Sequence, residues 1–158
     1  MKLTILGTGN ATVTECYNTC FVLSDDDKHL LVDGGGGNTL LHQLKAAGIN
    51  WMDIREIFVT HKHTDHLLGI IWMVRMICQN MNRGKYDGEA RIYAHDEVLF
   101  LLRDFAEKCA EVANLDKEPK LEGRNMSIFL SPKSQNQLKK EQKAKKQAAE
   151  KTAAEQDA

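Results

Sequence analysis

The chemistry of the chain is concentrated in six consecutive residues, His61-Lys62-His63-Thr64-Asp65-His66, which hold three of its six histidines and one of its eleven aspartates. They follow directly on the strand-like run Ile57-Phe58-Val59-Thr60. Two imidazoles at i and i+2 leaving a strand project to the same side, where they can hold one metal ion together. Asp65 and His66 come after the chain has turned, so they address a neighbouring position and could hold a second ion. Imidazole and carboxylate donors without a thiolate suit zinc best, with manganese or iron as lesser alternatives. Metal-bound water is a nucleophile at neutral pH, so such a site implies hydrolysis with no nucleophilic side chain. Elsewhere the sequence offers no competing Ser/His/Asp or Cys/His arrangement.

Two glycine-rich turns stand where a site of this kind would need them. Asp33 closes a short apolar run and enters Gly34-Gly35-Gly36-Gly37. Four glycines permit positive-φ backbone and close approach to a ligand, although a turn without function fits them equally well. Gly7-Thr8-Gly9-Asn10 could turn backbone N–H groups toward an anion, but it is neither a dinucleotide-binding nor a Walker fingerprint.

The elements that must position these residues alternate between strand and helix patterns. Leu3–Leu6, Thr19–Leu23 and Leu30–Val32 read as strands, with Asp25-Asp26-Asp27 as the turn between the second and third. Asn38 is suited to cap a helix through Ala47, with Leu40, Leu41, Leu44 and Ala47 at helical spacing and Gly48 ending it. Glu56–Thr60 is a further strand, Leu67–Cys78 a largely buried helix and Arg91–Ala94 another strand. Asp96 is placed to cap a helix reaching about Val112, and Met126–Leu130 is a last short apolar stretch. Strands interleaved with helices predict a layered α/β domain. Trp51, Trp72, Met52, Met73 and Met76 are expected in its core or on a face that a second half would cover, and the isolated His29 and His42 partly exposed.

The order Leu-Gly-Thr-Gly, then Val-Asp-Gly-Gly, then Thr-His-x-His-x-Asp-His-Leu-x-Gly resembles the N-terminal half of the metallo-β-lactamase superfamily. Within it the pattern is most similar to ribonuclease Z-type phosphodiesterases, over about residues 1–100. The resemblance implies an αββα sandwich, here only its N-terminal half, and a dinuclear zinc site. His61 and His63 match ligands of the first metal, Asp65 and His66 those of the second. Asp33 matches the acid that orients the metal loop, and Asp65 the residue that also handles the proton of the attacking water. The superfamily completes its site with a third histidine, a bridging aspartate and a last histidine further on. After His66 this chain has only His95, which ends a strand too early to be the third ligand. Two functions follow. One is a zinc-dependent hydrolase acting on a phosphodiester, with RNA among the substrates, its site completed by a partner. The other is a degenerate relative serving as a non-catalytic interaction module. Zinc retention separates them.

Composition bounds the remainder. The chain has 158 residues, 42% hydrophobic and 27% charged, with a net charge of −1, which excludes a strongly basic nucleic-acid binder. Length allows one domain with a real core, residues 1–131, followed by the Lys/Gln/Ala/Glu-rich segment 132–158. That segment carries seven lysines and four acids, with Leu138 its only apolar residue larger than alanine, so it can form helix but cannot bury a face. No apolar run approaches the roughly 18 residues of a membrane span. The N-terminus does not read as a secretory signal, and Cys16, Cys20, Cys78 and Cys109 are too scattered for a disulfide scaffold. Both points suit a cytoplasmic protein with reduced thiols. With a second half absent, the helix from Leu67 is expected to leave an apolar face exposed, through which copies could self-associate.

Overall fold

The computed structural model describes residues 1–108, 114–115, 120–122 and 125–131. The polar segment 132–158 and the expected end of the helix near Val112 lie outside the described residues.

Strand β1 (Lys2–Gly7) pairs antiparallel with β2 (Cys20–Asp25), which turns through Asp26 and Asp27 into antiparallel β3 (Lys28–Val32). Asp26 takes φ 50°, a left-handed turn that aspartate tolerates better than most residues. Helix α1 (Thr39–Ala46) and a 3-10 turn (Trp51–Asp53) lead to β4 (Ile54–Phe58), parallel to β3. Helix α2 (Thr64–Asn82) then leads to β5 (Ala90–Ala94), parallel to β4. Parallel neighbours need such crossovers, and the carboxyl ends of β3, β4 and β5 thereby share one rim of the sheet. Helix α3 (Asp96–Lys108) follows, then β6 (Asn114–Leu115), β7 (Lys120–Glu122) and β8 (Asn125–Ser131). The strand order is β1-β2-β3-β4-β5-β8-β6, with β7 also paired to β8.

One face of the sheet carries the core. Val22, Leu31, Ile57 and Ile92 from adjacent strands are fully buried, in one cluster with Leu40 and Leu44 of α1, Ile70, Met73 and Ile77 of α2, and Val98 and Leu102 of α3. Each such side chain contributes about 1.5–3 kcal/mol of burial, so this layer supplies most of the favourable free energy. Among the described residues the other face is uncovered. Leu3 and Ile5 are 56% and 53% exposed, and Phe21, Leu23, Leu30, Phe58 and Tyr93 on the same face are only half-buried. An α-layer on one side of a sheet is half of the αββα sandwich.

Several local expectations change. Helix α1 ends in the Schellman arrangement that Gly48 suggests, with Gly48 at φ 73° and the Ile49 N–H donating to the Leu44 carbonyl at 2.9 Å. Asn38 adopts helical φ and ψ and makes no side-chain cap. At α3 the capping position belongs to His95, whose carbonyl accepts from the Val98 and Leu99 N–H groups, and Asp96 lies one residue inside. Helix α2 begins three residues earlier and runs four residues further than its apolar pattern suggests. Its Leu67, Ile70, Met73, Val74, Ile77, Cys78 and Met81 are buried, while Leu68 and Trp72 on its outer side are exposed, so exposed apolar side chains lie on this helix and on α3 (Phe100, Leu101) as well as on the open sheet face. Trp72 is a correction. It is 39% exposed, because it lies one turn from exposed Leu68 on the outer side of α2. Trp51, Met52 and Met76 are half-buried, and only Met73 is fully enclosed. His29 is half-buried, its Nδ1 2.8 Å from Ser24 Oγ, and His42 is exposed.

Candidate metal centre

The site lies on the rim where β3 and β4 end. Asp33 follows β3 and Thr60 follows β4, and the Asp33 N–H donates to the Phe58 carbonyl at 2.9 Å. The chain leaves β4 extended through His61 and His63, and α2 begins at Thr64. Asp65 and His66 therefore sit in the first helical turn, where a carboxylate is also favoured by the helix dipole. The early start of α2 is what folds the second half of the motif back onto the first. The His61 ring centroid lies 4.7 Å from that of His63 and 4.1 Å from that of His66. His66 Nε2 is 3.3 Å from Asp65 Oδ2. All four motif residues are thus within one small cluster, with Asp33 behind it.

Asp33 is the organising group. It is buried, and its backbone takes φ 58°, a left-handed conformation uncommon for a residue with a side chain. Its Oδ1 accepts the Thr60 N–H at 2.8 Å, and its Oδ2 accepts the Thr60 hydroxyl at 2.8 Å. Oδ2 also lies 2.8 Å from His66 Nδ1. A carboxylate only accepts, so His66 carries a proton on Nδ1, and Nε2, 3.3 Å from Asp65 Oδ2, is the atom that would turn to a metal shared with Asp65. The same logic extends to His61. The Thr60 hydroxyl gives its one proton to Asp33, so at 2.9 Å it accepts from His61 Nδ1 and leaves the His61 Nε2 lone pair free. One buried carboxylate thereby sets the tautomers of two imidazoles, the arrangement that makes histidine a good metal ligand.

The glycines serve close approach rather than catalysis. The Gly34 N–H donates to the His66 carbonyl at 2.7 Å and the Gly69 N–H to the Gly35 carbonyl at 3.0 Å. A Cβ on Gly69 would sit 1.8 Å from the Gly34 oxygen, so the β3–α1 turn and α2 touch backbone to backbone. The Gly7–Asn10 turn does not present the N–H of Gly9 to an anion, because that group donates to the Tyr17 carbonyl at 2.9 Å. Lys62, exposed beside the histidines, pairs with Glu97 at the start of α3 at 2.5 Å. That hydrogen bond and charge raise the Lys62 pKa and lower that of Glu97. His95 is exposed and pairs with its neighbour Asp96, away from the motif histidines' hydrogen-bond set. Among the described residues, no three His, Cys, Asp or Glu side chains close around a single point as a metal cage. Thr60, Tyr17 and Glu97 carry contacts here that sequence reasoning missed. Thr60 had a signal in its place directly before His61, whereas Tyr17 and Glu97 had none.

A helix-backed sheet with an HxHxDH motif at the carboxyl end of its parallel strands defines a metallo-β-lactamase-superfamily chain, ribonuclease Z-like in its sequence. Residues 1–144 match the family described as "Anti-Pycsar protein Apyc1", and the chain belongs to that family. It is 38% identical over 76 residues to ribonuclease Z of Methanothermobacter thermautotrophicus, which covers 48% of this chain and 24% of that protein. It is 30% identical over 105 residues to ribonuclease Z of Pyrococcus abyssi, covering 66% of this chain and 32% of that protein. Among solved structures it is similar to the metallo-β-lactamase fold protein YhfI of Bacillus subtilis, with a TM-score of 0.53 and 22% identity over 65% of this chain and 41% of that one, a likeness of fold. The chain spans about a quarter to a third of the curated relatives it matches.

Proposed function

We propose that this chain carries the metal-binding motif of a metal-dependent hydrolase, a ribonuclease Z-like phosphodiesterase that uses a metal-activated water. The observation that supports it most strongly is the Asp33 carboxylate, which holds His66 through Nδ1 and His61 through Thr60, leaving Nε2 of each ring outside these bonds. The donor set fits zinc: His61 and His63 would hold one ion and Asp65 and His66 a second, with manganese or iron less well suited to three imidazoles. When bound, such ions lower the pKa of water toward neutrality and offset charge on a phosphoryl oxygen. Asp65, which lies beside His66, would also take the proton of the attacking water. Asp33 keeps the imidazoles fixed while this happens. The substrate is a phosphodiester, RNA included, and the setting is the cytoplasm. No helix among the described residues is long and apolar enough to cross a membrane.

A second reading, a non-catalytic interaction module with an incomplete site, is favoured by one observation. The last histidine of the chain, His95, is exposed and engaged with Asp96. In that reading the open sheet face is the working surface and copies associate through it. Hydrolysis of bis(p-nitrophenyl) phosphate with added zinc decides between the two. Activity that falls about a hundredfold or more in Asp65→Ala, with circular dichroism unchanged, supports the hydrolase. Activity equal in the two proteins removes Asp65 from the chemistry, and none in either supports the module.

A further inference from the structure

We infer that Tyr17 is a positioning residue for the metal centre, clamping the Gly34–Gly37 turn so that Asp33 stays in reach of His66; its catalytic relevance rests on the hydrolase reading above. Tyr17 belongs to the irregular segment between β1 and β2 and is half-buried. Its hydroxyl lies 2.7 Å from the Gly34 carbonyl and 2.8 Å from the Gly37 carbonyl, so its one proton is shared between them. It also accepts the Gly37 N–H at 3.2 Å. The ring lies against Gly35, where a Cβ would come within 2.4 Å of it.

The opposite side of the same turn is tied to α2, through Gly34 to His66 and through Gly69 to Gly35. The turn is therefore held between a phenol on one side and the helix that carries Asp65 and His66 on the other. Asp33 precedes it immediately, and its left-handed backbone is a strain that neighbouring contacts must offset. Three contacts at the phenol oxygen are well placed to supply that restraint. Burial also pushes the Tyr17 phenol up to about 12, so it remains a donor at neutral pH. The clamp has its own anchor, since the Gly9 N–H donates to the Tyr17 carbonyl.

Tyr17→Phe keeps the ring and removes only the clamp. In the full chain, metal-free, the amides of Gly34 and Gly69 are expected to exchange with deuterium about tenfold faster, while those of Ile57 and Ile92 in the central strands stay unchanged. Zinc affinity, by competition with a chromophoric chelator, should fall by about tenfold. Exchange unaltered at Gly34 and Gly69, or accelerated equally at every site, overturns the proposal. If the parent chain binds no zinc the hydrolase reading fails, but the exchange arm still decides the clamp. Should the variant not fold, the parent protein alone gives the answer. A Tyr17 hydroxyl proton held by two carbonyls exchanges slowly enough to be seen by NMR in the cold, and its absence rejects the clamp.

Discussion

Asp33→Asn replaces one carboxylate oxygen by an amide nitrogen at a position where the three neighbouring groups all donate. In the parent, Oδ1 takes the Thr60 N–H, and Oδ2 takes the Thr60 hydroxyl and His66 Nδ1. With the amide oxygen in place of Oδ1, the NH2 group faces His66. His66 must then lose the bond or move its proton to Nε2, which removes the lone pair a metal needs. The reverse orientation sets the NH2 against the Thr60 N–H. Asparagine tolerates left-handed backbone well, so φ 58° is no obstacle and the effect isolates the carboxylate. A hydrogen bond to a charged group contributes about 1.5–3 kcal/mol, or roughly 10–150-fold in affinity. That overlaps the 10–100-fold typical of losing the outer partner of a ligating histidine. Zinc competition against a chelator at fixed pH, with circular dichroism as the folding control, measures it. An affinity within about twofold of the parent would refute the tautomer argument.

Four further outcomes follow from the structure. Gly69→Ala places a Cβ 1.8 Å from the Gly34 oxygen, so it should destabilise by about 2–4 kcal/mol in urea unfolding, and a neutral result would mean the two backbones are not in contact. Ile5→Lys, on the open sheet face, should reduce both binding of a hydrophobic dye and the concentration-dependent mass of the parent, whereas a parent that is monomeric and binds no dye argues against an association surface. Burial, with Asp33 adding to it, pushes the Cys20 thiol from 9.0 to about 12, and burial pushes Tyr17 from 10.0 to about 12. Both keep a proton in the folded chain that the unfolded chain has lost. Stability therefore holds up to about pH 9 and falls as pH rises toward 12, and denaturant titrations across that range showing no loss would contradict the burial of these groups. Under native conditions at neutral pH, exposed Cys16 should react with a thiol reagent while Cys20 and Cys78 do not, in a Cys109→Ser background.

Local signals carried much of the site. Three histidines and an aspartate in six residues, directly after an apolar β-branched run, pointed to a metal motif, whereas Asp33 before four glycines fitted a plain turn equally well and gained its supporting role only from the family resemblance. Strand and helix periodicity placed these at the ends of strands, and the pairing shows those strands to be parallel. The boundaries inside the motif were not legible, because Thr64 starts α2 without a side-chain cap at His63 and no residue type marks the change. Contacts between segments distant in sequence were also invisible. Thr60 to Asp33 spans 27 residues and Tyr17 to Gly34 spans 17, and nothing in either local stretch encodes its partner. Trp72 misled because a large apolar side chain at helical spacing reads as core, while its face of α2 points away from the sheet. The open face escaped notice for the opposite reason. Leu3, Ile5, Phe21 and Leu23 alternate with the buried residues of their strands, so these strands read as buried on both faces. Family membership likewise came from the match over residues 1–144, where the motifs alone reached only the superfamily and its ribonuclease Z-like branch.

The proposed function requires that His61, His63, Asp65 and His66 hold metal. Zinc per chain by elemental analysis, on full-length protein after gel filtration with the mass recorded in the same run, tests this most directly. About one to two zinc ions per chain, lost when His61 and His63 are both changed to alanine, is the predicted result. Zinc absent from the parent, or retained equally by the double variant, would contradict it.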